Sequence, residues 1–206
     1  MDRHACAKRD APQFGNTVRT MPYGQAVDPT AFYAEAMRLF RNRKPLVAAV
    51  EGAAVGAGLG LALLTDFRVT CPEARFSANF NRLGFHPGFG LSLTLPRLVG
   101  AQKAAMLFYT GRRIGGEEAV AIGLADELVD KVQVLPRAMA LTQDIAASAP
   151  LAVASTRRSL REGLAEQVAE ANQQELAIQR EQFRTEDFRE GVAAMAARRL
   201  PVFHGR

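Results

Sequence analysis

A chain of 206 residues, 48% hydrophobic and 23% charged, has the composition of an ordinary soluble chain of one domain, with room for an appendage, and can bury one substantial core. Its formal charge of +5 is scattered among acids without interleaved aromatics, and bases cluster only at Arg38 to Lys44 and at Arg198, Arg199 and Arg206. An anionic small ligand therefore fits as well as nucleic acid, and no nucleic-acid role is expected.

Met1 to Asp10 lacks the apolar centre of a signal peptide. The longest apolar run, Ala53 to Leu64, is too short for a hydrocarbon layer of ~30 Å. Two cysteines, Cys6 and Cys71, cannot staple a fold of this size and suit a reducing compartment. A cytoplasmic protein without a membrane partner or a metal is the expectation.

Met1 to Val27 is polar and irregular, broken by Pro12, Gly15, Pro22 and Gly24. Asp28 then caps a helix with Pro29 at its first position and Phe32, Tyr33, Ala36, Leu39 and Phe40 along one side. Leu46 to Val50 has the length and apolar continuity of a strand buried on both faces. Gly56, Gly58 and Gly60 form a turn, and Leu61 to Leu64 a buried helix ending before Asp66. Short strands are predicted at Phe67 to Cys71 and Arg75 to Ala78, followed by a Gly- and Pro-rich loop from Leu83 to Ser92.

Helices follow at Leu91 to Val99, Ala104 to Tyr109 and between Gly116 and Gly123, with Leu128 and Val129 in a last strand. From there the pattern is helical: Leu135 to Ala147, Leu151 to Leu164, Ala165 to Phe183 and Glu186 to Arg199. The chain divides into an α/β core, residues 1–130, and a helical region, residues 131–206.

Strand, glycine turn and helix together present bare backbone N–H groups at the positive end of a helix dipole, a place for negative charge. A dinucleotide fingerprint would need glycine at Leu61 and an acid about 20 positions on, and a phosphate-binding P-loop would need a Lys-Ser/Thr pair; neither is present. Phosphate is therefore the weaker reading, beside glycines that simply allow close helix packing and an oxyanion formed during a reaction.

Five blocks in series, KPLVAAVEGAAVGAGLGLALLTDFRV, ARF, GFHPGFG with PRLVG, TGRRIGGEEAVAIGLAD and EDFREGVAAMAARRLPVFHGR, resemble the crotonase family of enoyl-CoA hydratases and isomerases. The resemblance implies a spiral of ββα repeats, a C-terminal helical trimerisation region and an acyl-CoA substrate, coenzyme A entering as part of that substrate and not as a cofactor. RHACAKRD, Arg3 to Asp10, resembles the family's Phe-x-Ala-Gly-x-Asp motif, so the strands that precede that motif in the family are expected to be absent. Two backbone N–H groups that hold the enolate-like oxygen fall at Arg9 and Ala57. Lys8, Gly56, Gly58, Gly60, Phe80, Pro87 and Gly88 fall at substrate-binding positions.

The family's two acid–base glutamates would stand at Gly60 and Phe80, so ordinary hydration is not expected. His86 is the titratable replacement candidate, with a hydrogen-bonded loop histidine as its plainer reading, and Asn79 and Asn81 could orient a water. Asp66 is read as structural, and a glutamate placed at position 60 is expected to lean toward the Ala57 pocket. Three functions fit: an acyl-CoA hydratase or isomerase relative with altered catalytic groups, a decarboxylase needing only the oxyanion site, or a non-catalytic acyl-CoA-binding or truncated homologue. A homotrimer or dimer of trimers is expected in each case.

Overall fold

Short apolar runs broken by turn residues can satisfy their backbone groups only by pairing with runs elsewhere in the chain. In the computed structural model, which describes residues 30–206, they pair into two small sheets. Strand β1 (Val47–Val50) lies parallel to β3 (Phe67–Thr70), with Val47 opposite Phe67, and β3 pairs in parallel with β6 (Glu127–Leu128). Strand β2 (Ala53–Val55) lies parallel to β4 (Arg75–Ser77), and β4 runs antiparallel to β5 (Ile114–Gly115). The sequential pairs β1–β2 and β3–β4 each give one strand to each sheet, as expected for ββα repeats.

Parallel neighbours need a crossover, and α2 (Ala57–Leu64), lying in the chain between β2 and β3, is part of the connections from β1 to β3 and from β2 to β4. Helix α2 is apolar on every side, and Leu59, Gly60 and Ala62 to Leu64 are buried. It begins at Ala57, four residues before the expected start, so that Gly58 and Gly60 are helical and only Gly56 makes the turn. Strand β2, hidden in the sequence by the following glycines, and the two-residue β5 were not expected.

Helix α1 (Thr30–Phe40) precedes β1; its expected cap, Asp28 with Pro29, lies outside the described residues. Helices α3 (Leu91–Val99) and α4 (Ala101–Thr110) meet at Gly100, whose φ of 80° breaks the helical path. After α5 (Gly116–Ala121) and β6 come α6 (Val134–Ala146), α7 (Pro150–Leu160), α8 (Leu164–Gln182) and α9 (Glu186–Ala196). One apolar cluster, including Leu59, Val69, Phe76, Leu95 and Leu107, fills the space under the sheets; a second joins Tyr33, Phe40, Leu64, Phe89, Val168 and Leu176. Among the described residues no helix is long and apolar enough to cross a membrane.

Asp66 stands two residues past the end of α2 and ties this core to α7. Its Oδ2 accepts the Leu46 N–H at 2.8 Å and Arg157 Nε at 2.9 Å, and its Oδ1 accepts Arg161 Nη1 at 2.8 Å. Arg161 also donates to the Leu64 carbonyl at 2.9 Å, and Arg157 to the carbonyl of Asn42. Burial pushes the Asp66 carboxyl up, but the donors Arg157, Leu46 N–H and Arg161 outweigh it and hold the group below its ordinary value. The structural reading of Asp66 therefore has a geometric basis.

Replacing Asp66 with Asn leaves two arginines facing a neutral group in a largely buried site. The expected cost at pH 7 is about 3–5 kcal/mol, the range for breaking a buried ion pair from one side. The wild-type advantage is complete above the unfolded carboxylate value of about 3.9 and is lost as pH falls through the lower folded value. Urea titrations at pH 7 and pH 3 check this: the gap between wild type and Asp66→Asn should narrow at the lower pH.

Candidate functional site

The end of β2 sets up the N-terminus of α2. Gly56 donates its N–H to the Ser77 carbonyl at 3.0 Å, completing the β2–β4 ladder, and then turns with φ 56° and ψ −122°. That left-handed turn suits glycine, since a Cβ would crowd the backbone. The first helical bond runs from Gly60 N–H to Gly56 O at 3.1 Å. The N–H groups of Ala57, Gly58 and Leu59 thus head the helix with no side-chain cap at Gly56. Three donors at the positive end of a dipole can hold an oxygen that carries negative charge.

The three glycines have three different neighbours. A Cβ at Gly56 would sit 3.7 Å from the Phe80 ring and 4.0 Å from Asn79 Oδ1. Gly58 faces open space and lines a cleft of about 500 Å³ beside β1 and β2, whose wall includes the exposed Leu61 and the strand-end Glu51. Gly60 is buried, and a Cβ there would fall 2.4 Å from Phe89 Cδ1. The expectation that a glutamate at 60 would lean freely toward the Ala57 pocket is thereby corrected, because the Phe89 ring already fills that space.

Phe80 is buried and meets Phe85 edge to face, with centroids 5.5 Å apart. Phe85 continues to Phe183 at 5.0 Å and Phe188 at 5.7 Å. An apolar stack therefore runs from the glycine turn to the end of α8 and the start of α9, and position 80 is a packing site.

The loop of His86, Pro87 and Gly88 is held by α8. His86 donates its N–H to Gln182 Oε1 at 2.6 Å, and its carbonyl accepts Gln179 Nε2 at 2.8 Å. His86 Nδ1 lies 2.8 Å from the Pro87 carbonyl; since that oxygen only accepts, the neutral ring carries its proton on Nδ1 and leaves Nε2 as acceptor. Pro87 and Gly88 are buried, and a Cβ at Gly88 would strike Gln179 and the Tyr33 hydroxyl. Glu175, 1% exposed, accepts the N–H groups of Gly90 at 2.6 Å and Ser92 at 2.9 Å and the Ser92 hydroxyl at 2.6 Å. Burial pushes the Glu175 carboxyl up against the pull of these donors.

The structure thus brings Gly56, Asn79 and Phe80 together, and it joins Ala57 to the loop through the cluster of Tyr33 and Phe89. Arg9 and Lys8 lie outside the described residues. Phe89, Glu175, Gln179 and Gln182 were missed. Phe89, bulky between two glycines and held at φ 67°, carried a local signal; α8 is polar around most of its surface, and no face of it announced buried polar work.

The family model for enoyl-CoA hydratase/isomerase matches residues 12–206. The crotonyl-CoA hydratase of Syntrophomonas wolfei is 33% identical over 193 residues, 92% of this chain and 74% of that protein. An enoyl-CoA hydratase/isomerase structure from Pseudoalteromonas atlantica superposes with a TM-score of 0.79 at 29% identity, covering 87% of this chain and 72% of that one. A variant of the ECH2 decarboxylase domain of CurF from Lyngbya majuscula gives 0.73 at 27% identity, covering 83% and 68%. The chain spans between 54% and 74% of the length of eight of the curated relatives it matches.

Two alanine substitutions two residues apart on one helix should have opposite effects. Gly60→Ala overpacks against Phe89 and should cost about 1–3 kcal/mol. Gly58→Ala meets nothing and should stabilise by about 0.5–1 kcal/mol, the helix preference of alanine over glycine. Urea midpoints of the two variants check the assignment of which glycine is packed and which is open.

Proposed function

The chain belongs to the enoyl-CoA hydratase/isomerase family, and on that premise we propose that it binds an acyl-CoA thioester with the thioester carbonyl at the head of α2. The observation that carries this reading is the uncapped run of N–H groups beginning at Ala57, set by the left-handed Gly56. Negative charge developing on the carbonyl oxygen as an enolate forms is stabilised by the Ala57 N–H, with the Arg9 N–H as the second donor. Removing one such donor from an oxyanion hole raises the barrier by roughly 3 kcal/mol.

A second reading, decarboxylation of a malonyl-type thioester, is favoured by what stands at the acid–base positions. Gly60 faces the Phe89 ring and Phe80 is locked in an aromatic stack. In that reaction the bond from the α-carbon to the carboxylate breaks and its electron pair becomes the thioester enolate. Carbon dioxide leaves, and a proton from water completes the α-carbon, so no protein base is needed. Either way the protein is an acyl-CoA lyase or isomerase relative of fatty acid metabolism in the cytoplasm. It assembles as a trimer or dimer of trimers through residues 131–206, where Val132, Leu135, Met139, Leu151 and Leu160 are exposed.

Calorimetry should show a CoA thioester binding more tightly than the matching free fatty acid; equal affinities would remove the acyl-CoA reading. Crotonyl-CoA hydration should be far below ~10 per second, an ordinary enzyme rate. Hydration at that rate would overturn the argument from positions 60 and 80, and release of carbon dioxide from malonyl-CoA would select the second reading. Light scattering at micromolar concentration should give a trimer or a hexamer, against which a monodisperse monomer would decide.

A further inference from the structure

Asn79, which borders the glycine turn, also lines a second cleft of about 810 Å³. Its walls carry five arginines, Arg82, Arg112, Arg113, Arg198 and Arg199, and no carboxylate. Two of these charges are answered from outside the lining. Arg112 is paired with Glu118, and Arg199 with Glu190 at 2.5 and 2.7 Å, a fork that holds the Glu190 carboxyl at about 2. Arg82 spends Nε on the Thr110 carbonyl at 2.6 Å, leaving both terminal nitrogens. The guanidinium groups of Arg113 and Arg198 have no hydrogen-bonding or ionic partner among the described residues. Three uncompensated cations converge on one cavity.

The backbone at Arg198 adds an independent observation. Helix α9 ends with Arg198 N–H bonded to Met195 O at 3.1 Å and Arg199 N–H to Ala194 O at 3.0 Å, the Schellman pattern. Arg198 occupies the left-handed position of that motif with φ 54°, where glycine is the least costly residue. A guanidinium is kept on the cleft at a conformational cost that folding alone would avoid.

We propose that this cleft is an anion subsite for the ligand whose thioester carbonyl lies at the Ala57 turn, and that it takes a phosphate or carboxylate group in the forks of Arg82, Arg113 and Arg198. The inference rests on the acyl-CoA reading and adds a second point of recognition. Guanidinium forks match both oxyanions bidentately, and the cleft has the size of a small-ligand site and not of a single ion. The charge can come from the phosphates of coenzyme A or from a carboxylate at the far end of the acyl chain.

The test uses the full chain and the variant Arg113→Ala/Arg198→Gly, titrated calorimetrically with inorganic pyrophosphate, butyryl-CoA, butyryl-pantetheine and glutaryl-pantetheine. Pyrophosphate binding to wild type should weaken at least tenfold in the variant. If the phosphates are the source, wild type prefers butyryl-CoA to butyryl-pantetheine and the variant loses that preference. If the acyl carboxylate is the source, the preference lost is that for glutaryl- over butyryl-pantetheine.

Unchanged affinities in the variant, with wild type still binding butyryl-CoA, overturn the subsite and leave the acyl-CoA reading intact. Wild type that binds pyrophosphate in a variant-sensitive way but none of the thioesters overturns that reading instead, and with it the subsite's place in a thioester site. Arg198→Gly alone should melt no lower than wild type while binding pyrophosphate more weakly; a lower melting temperature would sink the argument from backbone cost.

Discussion

A carboxylate withdrawn from water must be surrounded by donors, and Asp66 finds them in separate segments: the Leu46 N–H just before β1 and the guanidinium groups of Arg157 on α7 and Arg161 at its C-terminal cap. Because the same residue follows the last turn of α2, its position fixes the strand entry, the helix exit and the docking of α7 at once. Taking these charges out of water costs several kcal/mol per ion. The return is geometric, since an arrangement with α7 shifted would strand Asp66 or its arginines. From α7 the chain turns at Gly163, with φ 70°, into α8, so the placement of α8 inherits the constraint.

Helix α8 passes that placement to the candidate site. Glu175 caps the Gly90–Ser92 backbone, and Gln179 and Gln182 grip His86 from both sides of its peptide unit. The loop is thereby a rigid neighbour of α2, and Phe89 is pressed against Gly60 from it. Preorganised donors are worth most where their surroundings cannot relax, and the Ala57 turn is braced by the β2–β4 ladder behind it and by this loop beside it.

The stretch from Lys44 to Val69 could be read from sequence because its signals are local: an apolar run, a glycine cluster, a second apolar run and an acid that has to be paired. The late helices were legible for the same reason, through Pro150, Gly163 and Thr185 at their boundaries; the Thr185 hydroxyl does accept the Phe188 N–H at 3.1 Å. What escaped depends on partners distant in the chain. Strand β2 exists because Arg75 to Ser77 lies beside it, and three residues ahead of a glycine carry no periodicity. Glu175 and Gln179 looked like ordinary polar positions of a surface helix until the loop was seen to bond them. The start of α2 was placed late because glycine is a poor helix former, and packing against Phe80 and Phe89 overrides that preference.

Phe89 and Gly60 share a single volume, and that bears on how such a chain can change over generations. A long side chain can enter at position 60 only where position 89 has already become small, since the reverse order passes through an overpacked and destabilised intermediate. Shrinking Phe89 first opens a void that a folded chain can survive, and a void there is room for a carboxylate to be gained later. The two positions are therefore epistatic with a preferred order of substitution. Among descendants of a common ancestor they should differ as a pair, a glycine at one facing an aromatic at the other, or a longer residue facing a small one.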